Sequence, residues 1–517
     1  MSHARTHPVV CSGLTFAWPD GTTALDRLDV VFDAGRTGLI GRNGSGKSTL
    51  LRLVTGELTP TAGTVSTSGT VGLLPQALPL DTSRTIADLL GIAEPLRAVR
   101  AITAGDADEA HFHAVGDDWD VEERALEVLH RFGLPDDLDR TVGTISGGEA
   151  VLTGVAGLLV RRLPVTLLDE PTNNLDRPAR ELLYDAVRSW PGVLVVVSHD
   201  RDLLECVDRI VELRDGAART FGGTFSAFEA ALGVEQDAAA RQVRAAESTL
   251  RRERRQQIEA QTKLDRRERA GRKAAASKGL DRATAQYLQR RAQVAGGKHR
   301  GMLADRVDAA RTALDDAQAK VRNDDVIRID LPRTAVPNGR TIVELDRLLV
   351  RGPERIAVRG RNASGKTTLL RRLMPAASVP VGYLPQRLDL LDPHTSVLDN
   401  VRAVAPTAAP NEVRAQLARF LLRGDRVEQW AGTLSGGERF RATLACLLLA
   451  EPAPQLLLVD EPTNNLDLDS VVQLVAALRA YRGALVVVSH DEAFLAELDL
   501  TGHWSVEAGR VSSGLAR

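Results

Sequence analysis

The feature that most constrains the fold is an internal duplication. The octapeptide DEPTNNLD occurs twice, at 169–176 and at 460–467. The pattern G-x-x-x-x-G-K-[ST] also occurs twice, as GRNGSGKST at 41–49 and GRNASGKTT at 360–368. Three more motifs follow in the same order in both halves: LPQ ending at Gln76 and Gln386, SGGE at 146–149 and 435–438, and SHD containing His199 and His490. The chain is therefore predicted to contain two equivalent halves, each built from apolar strands that deliver these motifs.

Length and composition limit the class of protein. A chain of 517 residues is too long for one ordinary core, so two or three domains are expected. No apolar run approaches the length of a membrane span, and the opening MSHARTHPVV lacks the apolar core of a signal peptide, so we expect a cytoplasmic protein. The three cysteines, Cys11, Cys206 and Cys446, are scattered, which excludes a disulfide framework and a CxxC metal site.

Each G-x-x-x-x-G-K-[ST] loop is predicted to hold phosphate. Its small residues let backbone N–H groups surround the phosphates, and Lys47 or Lys366 neutralises the β and γ oxygens. The hydroxyl of Ser48 or Thr367 can reach a magnesium ion. A single match can arise by chance, but two copies followed by the same further motifs make chance negligible.

Together these motifs resemble the Walker A loop, Q-loop, signature, Walker B strand and H-loop of the ATP-binding cassette ATPases. Two such cassettes in one chain, both carrying DEPTNNLD and joined by a charged helical linker, resemble the ABC-F family of ribosome-associated ATPases. The resemblance covers essentially the whole chain. It implies an α/β fold with two P-loop cassettes, each a RecA-like core plus a helical subdomain. The expected boundaries are 1–233 for cassette 1, 234–325 for a helical hairpin linker, and 326–517 for cassette 2.

The resemblance also implies roles for individual residues. Glu170 and Glu461 would polarise the attacking water, and His199 and His490 would contact the γ-phosphate. A lone histidine after a strand is usually a loop residue and SGG is usually a turn, but the matching order in both halves favours the functional interpretation. The residues expected to hold nucleotide are Trp18, Gly41, Asn43, Gly44, Gly46, Lys47, Ser48, Thr49, Gln76, Ser146, Gly148, Gly360, Asn362, Gly365, Lys366, Thr367, Thr368, Gln386, Ser435 and Gly437. The residues expected to hold Mg²⁺ are Ser48, Gln76, Asp169, Thr367, Gln386 and Asp460.

In the family the two cassettes close head to tail, so each of two ATP molecules lies between one Walker A loop and the signature of the other cassette. The resemblance therefore implies a complete clamp in one chain, functional as a monomer. The segments 173–176 and 464–467 would supply part of the facing surface.

The linker carries most of the positive charge. Residues 241–300 contain 18 Lys and Arg against 6 Asp and Glu, although the net charge of the whole chain is −2. A coiled-coil seam is predicted at Leu303, Val307, Ala310, Leu314, Ala317 and Val321, whose spacings alternate between four and three. We expect an antiparallel hairpin with its tip at about 271–301. The charge favours a polyphosphate partner, and the scarcity of aromatic residues favours shape and phosphate contacts with structured RNA. A solvated spacer is the alternative.

The predicted activity is ATP hydrolysis coupled to ribosome binding, with contacts to rRNA and P-site tRNA implied by the resemblance. An antibiotic-resistance factor that protects the ribosome and a factor that rescues stalled complexes both stay open. A twin-cassette ATPase that energises a membrane transporter through separate membrane subunits is the alternative, but it has no obvious use for a basic hairpin. DNA-repair and iron–sulfur recycling ATPases are disfavoured because zinc cysteines, very long coiled coils and a cysteine cluster are missing.

Two differences separate the halves. The segment between the LPQ and SGGE motifs is longer in the first half, where it covers residues 77–145, than in the second, where it covers 387–434. For the additional residues, a longer helical subdomain is favoured over an added arm that contacts the ribosome. The second phosphate loop contains Ala363, is preceded by Val336 where the first half has Trp18, and is expected to face the signature ISGGEA. We therefore expect slower or looser nucleotide handling at Lys366.

Overall fold

The computed structural model describes residues 9–67, 69–76, 81–173, 175–277, 282–322, 327, 329–346, 348–386, 389–464, 466–507 and 509–515. Most side chains of the predicted linker tip, and one asparagine of each octapeptide, Asn174 and Asn465, lie outside this description. The chain divides into two units. Unit 1 comprises Met1–Ser226 and Asp325–Arg517, and unit 2 comprises Ala227–Asp324.

The first half of unit 1 contains a mainly parallel sheet with helices around it. Its strands are β1 (Val9–Ala17), β2 (Thr23–Phe32), β3 (Gly35–Ile40), β4 (Ala62–Thr67), β5 (Val71–Leu74), β6 (Val165–Asp169), β7 (Val193–Val197), β8 (Arg209–Arg214) and β9 (Ala217–Gly222). Its helices are α1 (Lys47–Val54), α2 (Ile86–Leu90), α3 (Ala93–Thr103), α4 (Glu109–Val115), α5 (Val121–Arg131), α6 (Gly147–Val160), α7 (Arg177–Arg188) and α8 (Arg201–Leu204). A six-stranded sheet has the order β5-β6-β7-β3-β8-β9, and an antiparallel sheet has the order β2-β1-β4.

The linker helices of unit 2 are α9 (Phe225–Ser277), which begins in the last two residues of the first half, and α10 (Arg282–Ala319). The second half then repeats the first. Its strands are β10 (Thr341–Leu345), β11 (Leu348–Arg351), β12 (Arg355–Arg359), β13 (Val381–Leu384), β14 (Leu456–Asp460), β15 (Ala484–Val488), β16 (Gly502–Glu507) and β17 (Arg510–Leu515). Its helices are α11 (Lys366–Ala376), α12 (Val397–Val404), α13 (Pro410–Arg419), α14 (Gly436–Leu448), α15 (Leu468–Ala480) and α16 (Glu492–Ala496).

The six-stranded sheet of the second half has the order β13-β14-β15-β12-β16-β17, which matches the first half strand for strand. Its additional antiparallel sheet has only the two strands β10 and β11. The predicted α/β fold with two duplicated halves is confirmed, and the second antiparallel sheet is smaller than the first.

The central strands are apolar because both faces of the sheet are covered. The runs VTLLD and VLVVV of β6 and β7 are buried at every position, as are LLLVD and ALVVV of β14 and β15. Such continuous apolar runs are typical of parallel strands with helices on both sides. Parallel pairing brings the carboxyl ends of β3, β6 and β7 to one edge of the sheet, where α/β proteins bind ligands.

The additional residues before the first signature form helices. Leu96 of α3 and Leu129 of α5 are buried in the same core as Leu152 of α6. This packing agrees with the expected longer helical subdomain. Contact of this region with a ribosome stays untested.

Helix α9 starts at Phe225, before the predicted boundary at 234, and the boundary itself stays a prediction. Leu303, Ala310 and Ala317 of the predicted seam are buried. Just after the C-terminal end of α10, the N–H of Arg322 donates to Oε1 of Gln236, which lies in the first turns of α9, over 2.8 Å. The end of the second helical segment therefore lies beside the beginning of the first, as in an antiparallel hairpin.

The structure also describes the three cysteines and the apolar character of the helices. Cys11, Cys206 and Cys446 are buried free thiols. Among the described residues, no helix combines the length and the apolar character needed to cross a membrane.

Candidate nucleotide sites

Both phosphate loops connect the end of a central strand to the N-terminus of a helix. Glycine is required at the first position because a Cβ on Gly41 would lie 2.4 Å from the carbonyl oxygen of Leu213, and one on Gly360 would lie 2.4 Å from that of Val506. The backbone is therefore pressed against the neighbouring strand. This close approach fixes the loop in front of the helix N-terminus, where N–H groups bind anions.

The lysine of each loop is folded back onto the loop itself. Nζ of Lys47 donates to the carbonyl oxygen of Gly41 over 2.6 Å, and Nζ of Lys366 donates to that of Gly360 over 2.7 Å. Nζ of Lys366 also lies 2.8 Å from Nε2 of His490. Burial lowers the pKa of both lysines. A buried ammonium group is costly unless an anion compensates it, so both loops fit a phosphate ligand.

A cavity of about 380 Å³ lies in front of the first loop. It is lined by eleven of the residues that the sequence placed at this site: Trp18, Asn43, Gly44, Gly46, Lys47, Ser48, Thr49, Gln76, Asp169, Glu170 and His199. Thr22, Thr23, Ala24 and Val197 complete the wall, and the sequence did not indicate them. All of these residues belong to the first half.

The two glutamates that follow the Walker B strands have unusual backbones. Glu170 has φ 50° and Glu461 has φ 45°, in the left-handed region that residues with a side chain avoid. In both sites an imidazole Nε2 lies 3.3 Å from Oε1 of the glutamate: His199 beside Glu170, and His490 beside Glu461. Strained backbones of this kind concentrate at functional sites. The fold therefore places the predicted catalytic glutamate and histidine of each site side by side.

Burial determines the protonation of these groups. It raises the pKa of Glu170 to about 8 and lowers the pKa of His199 to about 3. In the second site burial also raises the pKa of Glu461 and lowers the pKa of His490 to about 4. Both imidazoles are therefore neutral near pH 7 and can donate one hydrogen bond to a phosphate oxygen.

Among the buried polar atoms without a hydrogen-bond partner in the described residues, five belong to the two candidate sites. They are Oγ of Ser45, Oγ of Ser364, both ring nitrogens of His199 and Oε1 of Glu461. Buried polar atoms are normally paired, so such a cluster around a phosphate loop fits a polar ligand. The residues present therefore fit a nucleotide.

The predicted magnesium ligands are partly assembled. The carboxyl group of Asp169 is hydrogen-bonded to Ser48. In the second site the hydroxyl group of Tyr383 donates to Oδ2 of Asp460 over 3.3 Å. No cluster of three or more His, Cys, Asp or Glu residues in the described part of the chain is arranged to hold a metal. An oxygen set of one carboxylate and one hydroxyl fits Mg²⁺, which takes its other ligands from phosphates and water.

The signature motifs are helix N-caps. Oγ of Ser146 accepts from the N–H of Glu149 at the start of α6, and Oε2 of Glu149 accepts from the N–H of Ser146 over 2.7 Å. Ser435 and Glu438 make the same reciprocal pair at the start of α14. This capping box explains why the glutamate follows SGG, and it leaves the glycine N–H groups at a helix N-terminus.

Contacts between the halves join each phosphate loop to the opposite octapeptide. The N–H of Asn43 donates to Oδ2 of Asp467 over 2.8 Å. The reciprocal contact runs from the N–H of Asn362 to Oδ2 of Asp176 over 3.3 Å. In addition, a Cβ built on Gly436 of the second signature would lie 3.8 Å from Cβ of Asn43. These contacts have the head-to-tail pattern that the resemblance implied.

The second site departs from the first where the sequence indicated a difference. Val336 is 7% exposed and packs against Gly352 in a core cluster, so it presents no aromatic wall. Ala363 has φ 59°, a left-handed conformation that Gly44 adopts at φ 83° in the first loop. Alanine is strained by about 1 kcal/mol in this conformation. The expectation of unequal sites stays a prediction.

Sequence reasoning missed two residues close to these sites, Tyr383 and Arg180. Tyr383 replaces Leu73 of the first half, and Arg180 replaces Val471 of the second. Comparing the halves position by position reveals both, because a polar group stands opposite an apolar residue of the duplicate.

Comparison with known proteins agrees with this geometry. The sequence model of the ABC transporter family matches residues 25–173 and 374–464. The chain is 31% identical to the probable ATP-binding protein YheS of Escherichia coli O6:H1 over 91% of this chain and 74% of the relative. It is 33% identical to the tylosin resistance ATP-binding protein TlrC of Streptomyces fradiae (91% and 92% covered), and 29% identical to the energy-dependent translational throttle protein EttA of Mycobacterium tuberculosis H37Rv (91% and 86%).

Among solved structures, the archaeal ribosome recycling factor aABCE1, in complex with the ribosomal stalk protein aP1, superposes with a TM-score of 0.56. The match covers 97% of this chain and 89% of that one at 18% identity, so it supports the fold alone. Fold and sites define a twin-cassette ATPase that binds ATP. With relatives above 30% identity over most of both chains, this protein belongs to the ABC-F family.

Proposed function

We propose that this protein is an ATP-driven clamp that binds the ribosome and acts on translation. Its two sites each bind one ATP, and the chain works as a cytoplasmic monomer. The observation that carries the clamp is the pair of reciprocal contacts between the halves, from Asn43 to Asp467 and from Asn362 to Asp176. Because each phosphate loop contacts the octapeptide of the other half, nucleotide bound at either loop can stabilise the closed arrangement of the two halves.

The chemistry at each site follows from its buried groups. Lys47 or Lys366 turns from the loop carbonyl groups to the phosphates and neutralises charge as it develops. His199 or His490, held neutral, donates to a γ-phosphate oxygen. Burial raises the pKa of Glu170 and Glu461, and the positive charge of Lys47 or Lys366 opposes this rise. In its ionised form the carboxylate orients the attacking water and accepts its proton. Mg²⁺, held by the hydroxyl of Ser48 or Thr367 together with Gln76 or Gln386 and oriented by Asp169 or Asp460, would polarise the phosphate oxygens.

The signature helices complete the sites from the other side. Ser435 and Gly437 would contact the γ-phosphate held at Lys47, and Ser146 and Gly148 the one held at Lys366. The capping box supports this role because it fixes the glycine N–H groups at the positive end of a helix dipole.

Ribosome binding is supported by charge and by relatives. The linker has an excess of 12 positive charges between residues 241 and 300. It also has few aromatic residues, so it suits contacts with phosphate groups rather than stacking on bases. The names of the relatives describe tylosin resistance and a translational throttle. We therefore propose rRNA and P-site tRNA as the partners of this linker. Ribosome protection against an antibiotic and rescue of stalled complexes are the two candidate outcomes.

The test is to replace Glu170 and Glu461 together by Gln. The variant should bind ATP at the parental affinity, hydrolyse it at least about 100-fold more slowly because the base is lost, and sediment with ribosomes in ATP. A second variant adds Lys47→Ala and Lys366→Ala to the same background as the matched control that cannot bind ATP. Parental hydrolysis by the Gln variant would refute the assigned bases, and sedimentation with membranes instead of ribosomes would favour the transporter alternative.

The linker is tested separately by neutralising Lys273, Lys278, Arg290, Arg291 and Lys298, a set that falls in the predicted tip. Ribosome affinity should fall and depend less steeply on salt, since each lost phosphate contact removes a released counterion. ATPase activity without ribosomes should stay at the parental rate. Unchanged binding at every salt concentration would identify the linker as a spacer. Growth of a susceptible host on ribosome-targeting antibiotics, with and without the protein, separates resistance from rescue.

A further inference from the structure

One buried arginine in unit 1 is unexplained by the chemistry above. Arg180 of α7 is 9% exposed, and its equivalent in the second half is Val471, a buried apolar residue. Burying a guanidinium is costly unless its donors are satisfied. Its contacts therefore indicate what the residue holds in place.

The contacts of Arg180 reach toward both nucleotide sites. Its Nη1 donates to Oδ2 of Asp200 over 3.1 Å, and its Nε donates to the carbonyl oxygen of Leu175 over 3.1 Å. Asp200 directly follows His199, whose imidazole lines the cavity of the first site. Leu175 directly precedes Asp176, whose carboxylate accepts from the second phosphate loop. One guanidinium thus joins the histidine loop of the first site to the octapeptide that contacts the second.

A second bond stiffens this connection. The hydroxyl group of Tyr184, one turn along α7 from Arg180, donates to Oδ2 of Asp200 over 2.9 Å. Oδ1 of Asp200 meanwhile accepts from the N–H of Leu203 at the start of α8. Both carboxylate oxygens of Asp200 are therefore engaged, and the residue is bonded to Arg180, Tyr184 and the start of α8.

The described residues at the equivalent positions of the second half do not form this set of bonds. Val471 and Val475 stand where the first half has Arg180 and Tyr184, and both are buried among apolar residues. The carboxylate of Asp491, the equivalent of Asp200, caps α16 by accepting from the N–H of Phe494. Burial raises the pKa of Asp491, and Arg180 opposes this rise from across the contact between the halves. Arg180 thus acts on the second half, where the equivalent position is occupied by Val471.

We propose that Arg180 is a positioning residue that couples the two ATP sites through Asp200 and Leu175. The proposal rests on the two proposed sites. Occupancy at Lys47 orients the histidine loop, Arg180 carries that orientation to Leu175, and Asp176 is then held against the second phosphate loop. By thermodynamic linkage, occupancy at Lys366 strengthens binding at Lys47 by the same factor.

The coupling factor is measured by titrating the protein with a non-hydrolysable ATP analogue and Mg²⁺. Lys47→Ala and Lys366→Ala variants give the two single-site constants. The parental chain gives the constant for filling both sites, and its ratio to the product of the single-site constants is the coupling factor. Arg180→Met should lower this factor by about tenfold, equivalent to about 1.4 kcal/mol. Its affinity at Lys47 alone should stay within about twofold of parental.

Controls separate coupling from folding. Tyr184→Phe keeps the ring and removes one bond to Asp200, so it should lower the coupling factor by about threefold even if Arg180→Met folds poorly. Val471→Ala, at the equivalent position of the second half, should leave the factor within about twofold. A parental coupling factor in both Arg180→Met and Tyr184→Phe, with two nucleotides still bound per chain, would overturn the coupling role alone. If the lysine variants did not reduce the stoichiometry from two to one, the site assignment itself would fail.

Discussion

Trp18 is expected to provide much of the affinity of the first site. Its side chain forms part of the cavity wall, is 37% exposed, and is held edge-on by Phe16 at a centroid distance of 5.0 Å. A tryptophan side chain offers up to about 250 Å² of surface. A stacked adenine would cover the exposed third, about 90 Å², which corresponds to about 2 kcal/mol at about 25 cal/mol per Å². This agrees with about 1–3 kcal/mol for a base stacked on an aromatic ring.

The perturbation is Trp18→Val, which gives the first site the residue type of the second. In a Lys366→Ala background that leaves one site, the dissociation constant for ATP should rise by about tenfold to thirtyfold. The change should be similar for GTP, because every base has a face to stack. Titration followed by fluorescence or calorimetry measures both constants.

Trp119→Val is the matched control. Trp119 is 50% exposed and packs against Phe112 on the helical subdomain, away from the cavity. Its replacement should leave the dissociation constant within about twofold. An unchanged constant in Trp18→Val, with a thermal midpoint equal to that of the parent, would refute stacking at this residue and its contribution to the proposed inequality of the sites.

Three further predictions concern the catalytic groups, the contact between the halves and the ion pairs. Glu170→Gln should slow single-turnover hydrolysis more than Glu461→Gln, because the site at Lys47 is expected to be the faster one; equal residual rates would contradict this. Asp467→Ala removes both the cap of α15 and the acceptor for the opposite phosphate loop, so the ATP concentration for half-maximal hydrolysis should rise by about tenfold, as expected when a hydrogen bond to a charged group is lost. Asp208→Asn should lower the thermal midpoint at pH 7, because hydrogen bonds from Arg36 lower the pKa of the Asp208 carboxyl group in the folded chain. The stabilisation is fully present above the unfolded pKa of about 3.8, and it is lost as the pH falls through the lower pKa of the folded chain. Below that pKa the variant and the parent should unfold at the same temperature.

The sequence by itself determined the fold class, the duplication, the family and the ATPase activity. Phosphate loops, signature motifs and Walker B strands are short segments whose chemistry depends on residue type and spacing within a few turns of chain. The apolar runs VLVVV and ALVVV predict buried parallel strands for the same local reason. The comparisons confirm this part, while the domain boundaries and the individual site residues stay predictions.

The local sequence pattern was less informative about where helices begin and about positions at which the two halves carry different residues. Helix α9 begins at Phe225, before the charged run that marks the linker, because a helix can continue out of a domain without any change in composition. Val336 was aligned with Trp18 from the sequence, but its burial against Gly352 became visible only in the structure.

Only the tertiary structure decided which groups meet across the halves. Asp467 accepts from the N–H of Asn43, and Asp176 accepts from the N–H of Asn362, because the two sheets and their helices are packed together. Such contacts link residues far apart in the chain, and no periodicity encodes them. The strain at Glu170 and Glu461 is likewise invisible in the octapeptide, since identical letters fit any conformation until packing imposes one. The sequence therefore predicted the reacting groups, and packing determined which residues meet at the contact between the halves.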